Sequence, residues 1–197
     1  MPSIKSPSKL GRKAGVCRCD VVDEASVNEM SAQARKFFDD QIDILVNVAG
    51  VTGSIETPVQ NIKPDDFTYV IEGNIRGTYL PIKNIVPTMI ERKSGKIVNI
   101  SGTSGLRGCK YRAAYSSSKW SVRGLTRTVA LEVGEYGINC NVVCPGIVHT
   151  PRSARFCLRY SAVYFLPMPN ENASRTPGQC RTSCDNAVSH ERRLFTF

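Results

Sequence analysis

Ile42-Asp43-Ile44-Leu45-Val46-Asn47-Val48-Ala49-Gly50 is an apolar run that closes on Asn, Ala and Gly. Without polar alternation, such a run reads as a strand buried in a parallel sheet. Its small closing residues mark a turn where a ligand or another backbone comes close. Downstream, Pro64-Asp65-Asp66 has the form of a helix start, and a helix is predicted from about Pro64 to Arg92 with Gly73-Asn74-Ile75-Arg76-Gly77 inside it. Gly95-Lys96-Ile97-Val98-Asn99-Ile100-Ser101 is a second predicted strand, running into a Gly-rich loop from Gly102 to Gly108. A helix from the Tyr115 region to about Tyr136 follows, then a third strand from Ile138 to Cys144 that ends at Pro145-Gly146. Strand, helix, strand, helix, strand at these lengths predicts an α/β fold with a parallel sheet.

The chemistry sits in Ala114-Tyr115-Ser116-Ser117-Ser118-Lys119-Trp120. Four residues apart on a helix, a phenol and an ammonium share one face. A phenol of ordinary pKa, near 10, is a weak acid or base at neutral pH, and a fixed cation beside it favours the phenolate. Such a pair can exchange a proton with a hydroxyl or a carbonyl.

Five segments in fixed order now resemble the short-chain dehydrogenase/reductase family: Asn47-Val48-Ala49-Gly50, Asn74, the Ser/Gly loop after Ile100, Tyr115 with Lys119, and Pro145-Gly146 followed by Thr150. The likeness covers about Val16 to Thr150, and the 3-oxoacyl thioester reductases are the subgroup it most resembles. It implies a Rossmann-like, doubly wound parallel sheet and an NADP- or NAD-dependent interconversion of a secondary alcohol and a ketone. By the same resemblance, Tyr115 is the general acid and base, and Lys119 lowers its pKa and holds the nicotinamide ribose. Asn74 interrupts its helix so that a backbone carbonyl holds a relay water. Asn47, Ala49 and Gly50 line the cofactor side of the strand end, and Pro145, Gly146, Ile147 and Thr150 approach the nicotinamide carboxamide. Asp20 contacts the adenine; read from the residues alone, it begins a turn capped by Asp23. The cofactor does the hydride chemistry while the protein orients it and moves the proton.

Three departures stand against that pattern. The family's catalytic serine is expected where this chain has Gly102, leaving Ser101 as a weaker candidate beside it. No strand and G-x-x-x-G-x-G turn precede Val16, so the first two βα units are expected to be lacking and the choice between NAD and NADP is not readable. In that topology the expected strand from Val16 to Val21 lies at an edge, and the Asn47 strand either is left with a bare neighbouring edge, an aggregation hazard, or pairs with the Val16 strand in a way the family does not use. After Thr150 the chain turns into a segment with seven Arg, no Lys and three Cys. Arg159 to Met168 reads as its one short apolar segment, a candidate strand, and the rest as irregular. The expected organisation is a basic leader over 1–15, a partial Rossmann domain over 16–150 and a largely irregular tail over 151–197.

Composition adds bounds. The 197 residues allow one domain with a core. The net charge of +9 draws +4 from the tail after Thr150, and no aromatic-interleaved basic motif accompanies it, so no nucleic-acid partner is expected. No apolar run is long enough to span a membrane, and no apolar segment stands behind the basic N-terminus to make a secretory signal. Eight scattered cysteines, with Cys140 and Cys144 in strand positions, fit a reducing, cytoplasmic setting. Cys180, Cys184 and His190 lack a second ligand pair at zinc spacing, so no metal is expected. The expected partners are a small carbonyl or alcohol substrate and, through the Asn74 and Tyr115 helices, a second chain. In the other reading those helices are all that functions, and the fragment is catalytically impaired.

Overall fold

The computed structural model describes residues 14–146 and the short strand 194–196. Helix α1 (Glu24–Phe37), for which the sequence raised no expectation, starts at Asp23, whose carboxylate accepts the Ser26 N–H at 3.0 Å. Val27, Met30, Ser31 and Ala34 recur at helical spacing on its buried face. Strand β1 (Ile44–Asn47) follows, then helix α2 (Pro64–Ile71), with Pro64 in the first turn and Asp65 and Asp66 beside the helix N-terminus.

At Glu72–Arg76 the helix widens into a π-turn, and it continues as helix α3 (Gly77–Glu91). A π-turn inserts one residue into the ladder, and such insertions recur at functional sites. Strand β2 (Gly95–Ile100), helix α4 (Ala113–Val133) and strand β3 (Ile138–Val143) complete the succession that the sequence predicts. Gly137, at φ 71°, takes the left-handed conformation between α4 and β3 that glycine adopts without strain.

The sheet order is β3-β2-β1-β4, all parallel, with β4 spanning Leu194–Thr196. Asn47 stands opposite Asn99 across β1 and β2. Ile42, Leu45, Ile85, Met89 and Ile97 are wholly buried where the sheet meets α3, and Val129, Val133 and Ile138 extend this core beneath α4.

Two expectations are corrected. Residues 14–20 form no strand: they pair with no described strand, and Val16 is 81% exposed. An extended apolar stretch becomes a strand only where a ladder accepts it, and the β1 edge is already paired with β4. Conversely, the β1 edge is not bare, and the strand that covers it comes from Leu194–Thr196 rather than from Arg159 to Met168, which lie outside the described residues along with the rest of 147–193. Three residues are too few to carry a period in the sequence. Residues 1–13 of the expected leader and the Cys180, Cys184 and His190 group also lie outside the described residues.

Candidate active site

Tyr115 lies in the first turns of α4, half-buried, and Lys119 lies one turn further on, 6% exposed. The Lys119 Nζ donates to the Ile100 carbonyl at 3.0 Å and stands 5.7 Å from the centre of the Tyr115 ring. The strand end, the loop after it and the helix are thereby joined at one point.

Asn74 enters the same cluster from the π-turn, 1% exposed. Its side-chain carbonyl accepts the Val51 N–H at 2.8 Å, and its amide donates to the Val51 carbonyl at 2.9 Å and to Ser118 Oγ at 2.8 Å. One buried side chain therefore ties the turn after β1 to α4. A Cβ on Gly50 would stand 2.7 Å from Asn74 Oδ1 and 3.6 Å from Lys119 Nζ, so the turn tolerates no side chain here without displacing Asn74. The Asn74 backbone carbonyl accepts the Thr78 hydroxyl at 2.7 Å, which occupies one of its two lone pairs.

The two candidate serine positions separate cleanly. Ser101 is buried and its hydroxyl donates to the Lys119 carbonyl at 2.8 Å, pointing into α4. Gly102 has an extended backbone, φ 163° and ψ 171°, and a Cβ built on it would lie 3.8 Å from the Tyr115 hydroxyl. The position facing the phenol is thus Gly102.

Below the site runs a buried polar line. Asn47 Nδ2 donates to Asn99 Oδ1 at 2.8 Å, and Asn99 Nδ2 donates to Thr126 Oγ1 at 2.9 Å. Asn47 Oδ1 is buried without a hydrogen-bond partner among the described residues. Ala49 is half-buried and Gly50 exposed at the same strand end. The Pro145 carbonyl accepts the Thr103 N–H at 3.1 Å, and Gly146 is exposed. Ile147 and Thr150 lie outside the described residues. Asp20 is exposed in the turn before α1; its carboxylate accepts the Val22 N–H at 3.1 Å and its own N–H donates to Ser26 Oγ at 2.9 Å. Those bonds are what its turn-forming role requires.

The electrostatics differ from the sequence expectation. Burial pushes the Tyr115 phenol above its ordinary value; the Arg112 guanidinium opposes this and Cys109 adds to it. The Arg112 guanidinium carbon lies 5.4 Å from the ring centre, close to the 5.7 Å of the Lys119 Nζ. Burial also lowers the Lys119 pKa, with Cys144 acting the other way. Arg112, Ser118, Asn99 and Thr126 belong to this site, and the sequence reading singled out none of them. Asn99 carried a usable signal, being a polar residue in a buried strand.

The sequence model described as short chain dehydrogenase matches residues 3–157. The chain belongs to that family. The match extends on both sides of the region from Val16 to Thr150. The chain is 41% identical over 135 residues to the 2-(R)-hydroxypropyl-CoM dehydrogenase of Xanthobacter autotrophicus, a match covering 68% of this chain and 54% of that protein. Among solved structures, ElxO with NADP bound has a TM-score of 0.70 at 36% identity, over 75% of this chain and 58% of that one. NAD+-bound xylitol dehydrogenase has a TM-score of 0.68 at 33% identity, over 73% of this chain and 55% of that one. The chain thus spans little more than half the length of these relatives. Short-chain dehydrogenases act on alcohols and ketones with a nicotinamide cofactor, and among the described residues no helix is long and apolar enough to cross a membrane.

Proposed function

We propose that this chain carries the proton-transfer half of an NAD(P)-dependent oxidoreductase that interconverts a secondary alcohol and a ketone. The observation that supports it is the convergence of Tyr115, Lys119 and Asn74 on one point at the end of β1 and β2. In ketone reduction Tyr115 gives its phenolic proton to the carbonyl oxygen, and in alcohol oxidation its phenolate takes the hydroxyl proton. Lys119 and the Asn74 turn connect the phenol to solvent, so that the proton is replaced after each turnover. When bound, the nicotinamide cofactor supplies or accepts the hydride.

The residues present fit such a cofactor. Gly50 leaves the strand end open beside Lys119, and the orphaned Asn47 Oδ1 offers a buried acceptor beneath it. Asn47, Ala49, Gly50, Tyr115, Lys119, Pro145, Gly146, Ile147 and Thr150 would hold the nicotinamide half, with Asp20 on the adenine side. Relatives with bound NADP and with bound NAD+ both align with this chain, which leaves either cofactor in play. The hydroxyl that would help Tyr115 hold the substrate oxygen is absent at Gly102, so turnover is expected to be impaired.

The test is thermal unfolding of the 197-residue chain with and without excess NADPH or NADH. A ligand of the native state raises the transition by mass action. A transition indifferent to both cofactors would remove the oxidoreductase reading.

A second reading rests on a different observation. Trp120 and Leu131 on α4 are 48% and 85% exposed, and Phe67 and Tyr69 on α2 and Tyr79 on α3 are also exposed. Apolar side chains exposed on neighbouring helices suit a helix-to-helix interface with a second copy or a full-length relative. A chain that sediments as a monomer at micromolar concentration and does not associate with such a relative would count against it.

A further inference from the structure

The catalytic roles proposed above use Tyr115, Lys119 and Asn74, yet a second strong cation stands at the same site with one nitrogen unpartnered among the described residues. Arg112 occupies the residue before α4, with its guanidinium carbon 5.4 Å from the Tyr115 ring centre. Its Nη1 is shut off from solvent and has no hydrogen-bond partner among the described residues. A buried donor on a charged group is costly to leave unmade, and the natural remedy is an acceptor that arrives with a ligand.

The sequence around it offers no internal acceptor of the right charge. From Arg92 to Leu131 there are nine Lys or Arg and no Asp or Glu. Arg107 and Lys110 are exposed on the loop leading to Arg112. Lys110 lies over the Tyr111 ring at 4.7 Å, and neither Arg107 nor Lys110 forms an ion pair among the described residues. This rim is therefore positive and uncompensated among the described residues, a field that concentrates anions at the mouth of the site.

We propose that Arg112 is a substrate-binding residue that pairs with a carboxylate carried by the substrate, a few bonds from the carbonyl that Tyr115 protonates. This deepens the oxidoreductase reading and rests on it for the carbonyl chemistry: the substrate class is an oxo acid, or a hydroxy acid in the reverse direction. A guanidinium presents paired N–H donors in a planar fork that matches a carboxylate, which a lysine cannot reproduce. The guanidinium carbon lies 5.4 Å from the Tyr115 ring centre, which puts the anion subsite beside the phenol. A carboxylate on Arg112 would thus fix the carbonyl against Tyr115 by orientation.

The experiment is calorimetric titration of the full chain with levulinate and with methyl levulinate, the same ketone without the charge. Levulinate is expected to bind about ten- to a hundred-fold more tightly than its ester, the range of one charge-assisted hydrogen bond. Arg112→Gln should bring the acid down to the level of the ester, and Arg112→Lys should retain only part of the preference. Arg107→Gln and Lys110→Gln should leave most of it. Equal binding of acid and ester, no binding of levulinate, a preference that survives Arg112→Gln, or one lost equally in the Arg107 and Lys110 variants would each overturn the assignment. The oxidoreductase reading fails separately. If the Gly102→Ser chain with NADPH reduces neither levulinate nor cyclohexanone while levulinate still binds through Arg112, the chemistry is lost and the anion site stands.

Discussion

The Cβ position of Gly102 lies 3.8 Å from the phenolic oxygen of Tyr115. A serine hydroxyl, one bond further out, reaches hydrogen-bonding range of that oxygen, and the extended backbone at φ 163° accepts any side chain. Gly102→Ser is therefore expected to fold normally and to raise ketone reduction by about 100- to 1,000-fold, the usual worth of one donor to a developing oxyanion. Gly102→Ala fills the same space without a hydroxyl and should leave the rate where it is. Steady-state turnover of the three chains checks this. A silent Gly102→Ser chain would mean that the proton chemistry is limited elsewhere.

The two buried titrating groups should give opposite pH slopes in stability. Tyr115, raised above 10.0 by burial, keeps its proton longer in the folded chain than in the unfolded one. Its contribution is fully present below pH 10.0 and is lost as pH rises from there through the folded value. Lys119, lowered below 10.5 by burial, loses its proton more readily in the folded chain, so its contribution is present above 10.5 and is lost as pH falls through the folded value. Relative to Lys119→Met, the wild-type chain should gain stability as pH climbs toward 10.5. Relative to Tyr115→Phe, it should lose stability above 10.0. Denaturant midpoints of the three chains across that range test both signs.

Asn74→Ala should be destabilising beyond the loss of one contact. It strands the Val51 N–H and carbonyl and frees Ser118 Oγ, in a cluster where Asn74 is 1% exposed. A buried group left unsatisfied costs about 1–3 kcal/mol, so a fall in that range or larger is expected in chemical denaturation. Gly50→Ala should act on the same residue from the other side, because its Cβ would press on Asn74 Oδ1 at 2.7 Å. The two substitutions share one target, so the double variant should lose less than the sum of the singles.

Ile97→Ala should cost about 2–5 kcal/mol, because the residue is wholly buried in the central strand and the parallel ladders on both sides limit collapse around the cavity. A shift in denaturation midpoint with an unchanged slope would confirm that the loss is one of packing.

The sequence made the sheet centre legible because each of its three strands is a contiguous apolar run closed by Asn, Gly or Pro. It also made Asn74 legible as an interruption, since asparagine between Gly73 and Gly77 is a poor helix interior. The expected strand from Val16 to Val21 failed because strand formation depends on a partner, which the local pattern does not contain. Leu194–Thr196 escaped notice for the converse reason: three residues gain their identity only from β1. Arg112 carries no signal of its own in the sequence, and only the fold sets its guanidinium beside the Tyr115 ring with Nη1 out of reach of water.

The pairing of Ile44 with Leu194 joins residues 150 positions apart, from 44 to 194. Translation adds about 5–20 residues per second, so β1 waits roughly 8–30 s after its synthesis before β4 exists to cover it. Throughout that interval the growing chain presents an open parallel edge to its neighbours, including identical chains on the same message. Residues 194–196 thus cover a strand made 150 residues earlier, and the yield of native protein in cells should depend on how fast the ribosome reaches them.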